Sequence, residues 1–428
     1  MSALVLRSDA AHLPLPDASV DLIVTSPPYF GQRDYRDGGA SLAGQIGSEE
    51  TPAEYIAALL RCTREWVRVL KPSGSLFVNL GDKFSQRIQV RRSSHQPGIH
   101  VGKFEEFSES WAERAAKGAT RMPHQNVIGD DGGWVAEKSL MQLPARYSIG
   151  CTDQLGLILR RDIIWSKTSG MPESVTDRCH TSHEYLFHFT KEPRYFSAGD
   201  EIREPYQPQS VARTSRRYLA GDSFSVGTPN TLDPEQFCNP LGKMPGSVWE
   251  IPTQPLLVPA HLGVDHFAAF PCELPRRIIL GWSPSGICLE CGEGRRPQVL
   301  REIGPDHQGR IGTLHGGDRA RIGHATERKM LDGLALRTIT GYACACPSAT
   351  APTRPAVVAD PFGGTGTTAL VADVLGRIGV TVDLGMDYSR LARWRTRDPA
   401  ERARALGVPK PPPVLEGQGS LFDHMEAS

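Results

Sequence analysis

The chain has 428 residues, enough for a full core with smaller modules attached, and its 48 Lys and Arg balance 48 Asp and Glu. Zero net charge argues against a general polyanion binder, and the lack of any apolar run of about 18 residues argues against a membrane span. Nine cysteines, five of them scattered (Cys62, Cys151, Cys179, Cys238, Cys272), argue against a disulfide framework. With no signal-like apolar stretch at the N-terminus, a cytoplasmic protein is expected.

In chain order, Val20-Asp21-Leu22-Ile23-Val24 predicts a strand that runs into a Pro-Pro turn. Thr51 to Leu70 places Ile56, Leu59, Leu60, Val67 and Leu70 at helical spacing. Lys71-Pro72-Ser73-Gly74 stops that helix, and Ser75 to Leu80 predicts the next strand. The pattern lapses from 83 to 138, where eight basic residues between Lys83 and Arg121, including Arg87, Arg91, Arg92 and Lys103, stand against four glutamates. Such a stretch permits contact with nucleic acid without showing it, since charged loops are commonly just solvated. Order resumes with Leu155 to Leu159, Ile163 to Trp165 and Glu184 to Phe189, and residues 200 to 250 are again irregular, rich in Pro and Gly. Pro275 to Trp282 predicts a short helix, followed by a Gly- and Arg-rich insert from Ser283 to Arg354. Val357 to Ala359 (strand), Thr367 to Leu375 (helix) and Val380 to Val382 (strand) complete the series, and the tail beyond Asp398 is expected to be weakly ordered. Sheet-forming pieces at both ends predict one discontinuous α/β domain with irregular inserts.

The segment Asp360-Pro361-Phe362-Gly363-Gly364-Thr365-Gly366-Thr367-Thr368 joins a strand to a helix. Glycines there let a ligand approach the backbone, and the helix N-terminus offers free N–H groups. Asp383, ending the next strand, is placed where a carboxylate binds both hydroxyls of a ribose. A dinucleotide site is the rival, but Ala369 stands where its third glycine would be, and the Gly-Lys-Ser/Thr of a phosphate-binding loop is missing. An acidic start to the turn suits a nucleoside with a cationic amino-acid end, and S-adenosylmethionine is such a ligand.

Ser26-Pro27-Pro28-Tyr29 follows the first predicted strand. An exocyclic amino nitrogen is a poor nucleophile because its lone pair is delocalised into the ring. Acceptors that pull on its hydrogens let it become tetrahedral as a methyl arrives. The Ser26 hydroxyl and the Pro27 carbonyl can serve, since prolines fix φ and donate no N–H, while Tyr29 can stack on a base flipped from a duplex.

Together the two segments resemble the permuted, or beta-class, DNA amino-methyltransferases, in which a Ser/Asp/Asn-Pro-Pro-Tyr motif precedes the cofactor-binding glycine motif. Further pieces match in the expected order: Arg7-Ser-Asp9-Ala10, Leu70 to Gly74 with Asn79 to Asp82, Arg161 to Lys167, Met171 to Val175, His183 to Tyr185, and His266 to Leu274. The resemblance implies a Rossmann-like methyltransferase sheet in circularly permuted order, using S-adenosylmethionine. Its catalytic residues would be Ser26, Pro27, Pro28 and Tyr29. Its cofactor-binding residues would be Asp9, Phe267, Phe270, Pro271, Asp360, Phe362, Gly363, Gly364, Thr365, Gly366, Thr367, Thr368 and Asp383. It further implies site-specific methylation of a base flipped out of double-stranded DNA, with a restriction endonuclease as a partner that the family allows. Ser at the first motif position leans towards cytosine N4, where Asp or Asn leans towards adenine N6. Adenine N6 therefore stays open, as do a non-catalytic DNA-binding protein on the same fold and methylation of RNA or protein.

On this reading residues 1–82 and 139–194 belong to the methyltransferase domain, 251–283 pack on the cofactor, and 356–398 bind it. Residues 83–138 and 195–250 are candidate target-recognition inserts, 284–355 a cysteine-bracketed basic insert, and 399–428 a tail. Two departures from the family stand out. Gly363 replaces the usual Ala, a change expected to be harmless, and Asp383-Leu384-Gly385 lacks the Asn that more often follows the Leu. Pro271-Cys272 invites comparison with ring-carbon cytosine methyltransferases, but it precedes the glycine motif and has no obvious activating base, so a buried thiol is expected.

Cys288-Leu-Glu-Cys291 and Cys344-Ala-Cys346 bracket the basic insert as two pairs of close thiols, a pattern that suggests a variant zinc ribbon with a structural, closed four-thiolate site. His307, His315 and His324 are alternative ligands. The insert itself is a candidate DNA-contacting module.

Overall fold

The computed structural model describes residues 3–42, 44–85, 136, 138–170, 173–207, 209, 239, 241–264, 269–302, 336–346 and 351–409. Most of the first insert, with Arg87, Arg91, Arg92 and Lys103, lies outside them, as do Phe267 and the three candidate histidines.

Eight strands form the central sheet in the order β1 (Leu4–Arg7), β14 (Ile378–Asp383), β13 (Val357–Asp360), β2 (Val20–Thr25), β5 (Leu70–Leu80), β7 (His183–Thr190), β6 (Ile158–Ser166) and β8 (Val248–Glu250). The first five run parallel, β7 is antiparallel to both neighbours, and β8 is parallel to β6. β2 has every residue buried, as a strand covered on both faces requires. Leu22 and Val24 pack on one face with Ile278 and Leu370, while Ile23 packs on the other with Leu59, Trp66 and Phe189. β13 comes late in the chain yet lies mid-sheet, between β14 and β2. This matches the circularly permuted Rossmann-like order that the resemblance implies, and the crevice beyond the carboxyl ends of β13 and β2 is where such sheets bind ligands.

Helix α1 (Pro52–Val69) begins with a capping box: Thr51 Oγ1 accepts from the Glu54 N–H (3.2 Å) and Glu54 Oε2 from the Thr51 N–H (3.0 Å). Its buried stripe includes Tyr55, Leu59 and Trp66. Helix α2 (Leu143–Leu155) packs on α1, and sequence periodicity did not announce it. Ser148, Gly150 and Thr152 dilute its helical signal, and a Cβ at Gly150 would lie 2.8 Å from Leu60 Cδ1, so close packing requires the glycine. Helices α3 (Glu273–Trp282) and α4 (Thr367–Val374) cover the opposite face. Helix α5 (Met386–Arg397) follows β14.

Two expectations are corrected. Val248–Glu250, read as irregular, adds β8 to the main sheet beside Ile164–Ser166. The tail continues as helix α6 (Pro399–Leu406), whose N-terminus Asp398 caps through 2.9 Å bonds from Ala400 and Glu401 N–H groups, and Ala403 and Ala405 are buried. Within the Cys-bracketed insert, β9 (Ile287–Cys288) pairs with β12 (Thr353–Arg354), and β10 (Arg296–Glu302) pairs with β11 (Leu336–Ala343).

Candidate active site

Ser26 to Tyr29 leave the carboxyl end of β2 directly beside the turn that leaves β13. The Tyr29 hydroxyl donates to Glu184 Oε2 (2.6 Å) and lies 3.5 Å from Ser26 Oγ. Asn79 Nδ2 stands 2.6 Å from Glu184 Oε2, 2.9 Å from the Tyr29 hydroxyl and 3.4 Å from Ser26 Oγ. Lys167 pairs with the other Glu184 oxygen, Oε1. Burial, then the Glu184 charge, pushes the Tyr29 hydroxyl well above its ordinary range, so it stays protonated as a donor. Among the described residues, the buried Oδ1 of Asn79 accepts no hydrogen bond. The Tyr55 hydroxyl occupies the Pro28 carbonyl (2.8 Å). Gly81 lets the Tyr29 ring lie against the end of β5, since a Cβ there would come within 2.7 Å of it.

The glycine turn is held from three sides. Asp360, buried, accepts from the Phe362 N–H (3.1 Å) and the Thr368 hydroxyl (2.9 Å), and Thr368 Oγ1 also lies 3.2 Å from the Val24 carbonyl on β2. Asp383 accepts from the N–H groups of Gly364 (3.1 Å) and Gly385 (2.8 Å). Burial pushes both carboxyls up, each to about 6. Among the described residues no cation pairs with Asp360. Gly364 and Gly366 have φ of +48° and +74°, conformations that side chains resist. The third fingerprint glycine is replaced from the partner strand: Gly379 of β14 approaches the Ala369 backbone so closely that a Cβ would lie 2.3 Å from its carbonyl oxygen. At Gly363 the Thr381 side chain fills the space an alanine methyl would need, so in this chain glycine and Thr381 go together.

The remaining candidates fall around this crevice. Asp9 follows β1, which pairs with β14 at Arg7 and Asp383, and its carboxylate accepts from the Ala11 N–H (2.9 Å) with half its side chain exposed. Phe362 meets Trp66 edge to face at 5.8 Å. Phe270 is half-buried against the α3–α4 core, Pro271 is buried, and Phe267 lies outside the described residues. Cys272 is buried, its thiol pushed up by desolvation, which does not suit a nucleophile.

Asn79, Lys167 and Glu184 lie in segments that match the family but were given no site role, and Arg395 did not stand out in the sequence. Arg395 on α5 is 2% exposed and donates to Thr365 Oγ1 (2.8 Å) and Thr367 Oγ1 (2.6 Å) while pairing with Glu401 (2.9 Å). A lone arginine in a helix is read as solvated by default, so only the packing reveals it. Asp37, in the hairpin β3 (Arg36–Asp37) to β4 (Ala40–Ser41), accepts from the N–H groups of Met386 (2.9 Å) and Asp387 (3.1 Å). The Met386 bond is the first cause of its lowered pKa, and the two bonds tie the loop after Tyr29 to the start of α5.

A sequence model of the N6/N4 DNA methylase family matches residues 20–288, more than half of the chain. The protein belongs to this family and is an S-adenosylmethionine-dependent DNA amino-methyltransferase. Among curated relatives, it is 29% identical to the Type II methyltransferase M.SmaI of Serratia marcescens over 66% of this chain and 76% of that protein. It is 33% identical to the Type II methyltransferase M.XycI of Xanthomonas campestris pv. cyanopsidis over 51% of this chain and 66% of that protein. Among solved structures, the PvuII DNA methyltransferase (cytosine-N4-specific) aligns at 15% identity and a TM-score of 0.42, covering 94% of this chain and 83% of that one. Among the described residues no helix is long and apolar enough to cross a membrane.

Proposed function

We propose that the protein is a site-specific methyltransferase that moves a methyl group to cytosine N4 of a base flipped out of double-stranded DNA, with Ser26 to Tyr29 as the catalytic segment. The observation that carries this reading is Thr368, whose hydroxyl lies within reach of both the Asp360 carboxylate and the Val24 carbonyl, joining the glycine turn to the strand that delivers Ser26. The site suits S-adenosylmethionine chemically. Asp383 offers a carboxylate for ribose hydroxyls, Asp9 would meet the adenine as the resemblance implies, and the unpaired buried charge of Asp360 favours a cationic ligand end. Phe362 and the turn from Gly363 to Thr368 would cradle the nucleoside, and Phe270, Pro271 and Phe267 would pack on the methionine end. Bound there, the cofactor supplies an electrophilic sulfonium methyl.

The chain's own work is positioning. With the Pro28 carbonyl taken by Tyr55, the Pro27 carbonyl and the Ser26 hydroxyl are left to accept the two amino hydrogens. The Tyr29 ring stacks on the flipped base, fixed through its hydroxyl by Glu184, which Asn79 and Lys167 hold in turn. Asn79 Oδ1 is a further buried acceptor that a substrate donor would satisfy. The nitrogen loses its proton only after it has gained the methyl and a positive charge, so no strong base is required.

Serine rather than Asp or Asn at position 26 supports cytosine over adenine N6. Residues 83–138 and 195–250 would recognise the target, and the Type II designation of the relatives supports a restriction endonuclease as counterpart. Transfer of labelled methyl to DNA followed by nucleoside analysis tests the assignment.

A further inference from the structure

The second group of chemistry-bearing side chains lies away from the crevice. Cys288, Cys291, Cys344 and Cys346 come from two segments separated by the insert, yet their four sulfur atoms lie within 4.8 Å of one another. All four are free thiols. A tetrahedral zinc ion holding each sulfur at about 2.3 Å would space the sulfurs about 3.8 Å apart, so only small side-chain adjustments separate this cluster from a complete site.

The first pair sits on a tight turn that brings its two sulfurs together. The turn is closed by bonds from Gly292 N–H to the Cys288 carbonyl (3.0 Å) and from Cys288 N–H to the Glu293 carbonyl (2.9 Å), with Gly292 at φ +75°. Such a turn fixes two of the four ligands before any metal arrives. The Cys346 thiol donates to Glu290 Oε2 (3.3 Å), a proton that metal binding would release.

The place of the cluster says what it would do. Cys288 is the last residue of β9, which pairs with β12 just before β13 carries the chain to the glycine turn. Leu289 N–H donates to the Pro352 carbonyl (2.9 Å), and Arg295 reaches the Ala351 carbonyl (2.6 Å). The β10–β11 pair springs from these roots and is held to the body by Tyr342 on Glu201 and by Arg296 over the Phe196 ring at 5.6 Å. We propose that the four cysteines form a closed structural zinc site that clasps the two roots of the 284–355 insert. Four thiolates leave no open position for catalysis, and the loop bridged between Cys291 and Cys344 is long enough that closing it without a cross-link costs appreciable chain entropy.

Elemental analysis of the full chain, purified without added metal, is expected to give about one zinc per protein. Native thiol titration before and after addition of chelator should differ by four reactive cysteines, with the buried Cys62, Cys151 and Cys272 unreactive in both. Replacement by cobalt should produce the intense thiolate-to-metal absorption and visible bands of a tetrahedral four-sulfur site. Cys291→Ser and Cys346→Ser should lose most of the bound zinc; should they fail to fold, the wild-type titration and cobalt spectrum decide alone. Zinc below a tenth of an equivalent with all four thiols freely reactive would overturn the proposal. So would iron in place of zinc, or folded serine variants that keep a full equivalent.

Discussion

An alanine methyl at Gly363 would fall 1.6 Å from Thr381 Oγ1 and 2.8 Å from its Cβ. The two residues face each other across the start of the glycine turn, and the hydroxyl occupies what would be methyl space. Gly363→Ala should therefore displace the turn and weaken S-adenosylmethionine binding at least tenfold. Adding Thr381→Ala removes the severe clash and leaves a contact that a small backbone shift relieves, so the double variant should recover most of the affinity. Isothermal titration of the wild type, both single variants and the double variant measures this coupling.

Glu184 collects Tyr29, Asn79 and Lys167 on one carboxylate. Glu184→Gln keeps the shape but loses the charge that orders these donors. A drop in kcat of about a hundredfold is expected from the misplacement of Tyr29, with the cofactor Kd unchanged. Equal losses in cofactor affinity and kcat would instead mark Glu184 as a general stability residue.

Asp360 and Asp383 are both raised from about 3.8 to about 6, by burial first. A carboxyl raised in the fold adds relative stability below its unfolded pKa and loses it as pH climbs through about 6. Above that pH each ionised carboxylate costs the cofactor-free fold on the order of 3 kcal/mol. A cationic end near Asp360 and ribose hydroxyls at Asp383 favour the ionised forms. Cofactor affinity should accordingly rise with pH between about 4 and 6 and level off near 7, and the thermal shift given by cofactor should be larger at pH 7.5 than at pH 5. A flat affinity profile from pH 5 to 7.5 would count against both contacts.

Arg395 and Glu401 form a buried pair whose arginine also holds Thr365 and Thr367. Arg395→Met should destabilise the protein by roughly 3 kcal/mol, because Glu401 loses its 2.9 Å partner and keeps only Arg404 at 3.4 Å. The double variant Arg395→Met/Glu401→Leu should regain much of that stability while still binding cofactor weakly, since the two threonine hydroxyls stay unanchored. Denaturant unfolding and cofactor titration separate the two effects.

The elements legible in the sequence are those whose local signals agree with their tertiary setting. The apolar stripe of α1, the mostly apolar β2, and the strand–turn–helix from Val357 through α4 are all where periodicity and turn chemistry place them. Helix α2 was hidden because its glycine serves packing on Leu60 rather than helix propensity. β8 was hidden because three residues carry no period, and only their pairing with β6 makes them a strand. In the candidate site, the two motifs were visible as unusual local sequences. Glu184 meets Tyr29 across 155 positions, Asn79 meets Tyr29 across 50 and Arg395 meets Thr365 across 30, so no role could be assigned to them locally, although Asn79 and Glu184 lie in segments that match the family.

The central claim is a methyl transferred to cytosine N4 by the site at the ends of β2 and β13. Its most direct test is incubation of the full chain with methyl-tritiated S-adenosylmethionine and DNA of mixed sequence, then separation of the nucleosides, with Ser26→Ala as the companion variant. Label in N4-methylcytosine, lost in the variant, is the predicted result. Label in N6-methyladenine would contradict the choice of base, and transfer undiminished in Ser26→Ala would contradict the catalytic assignment.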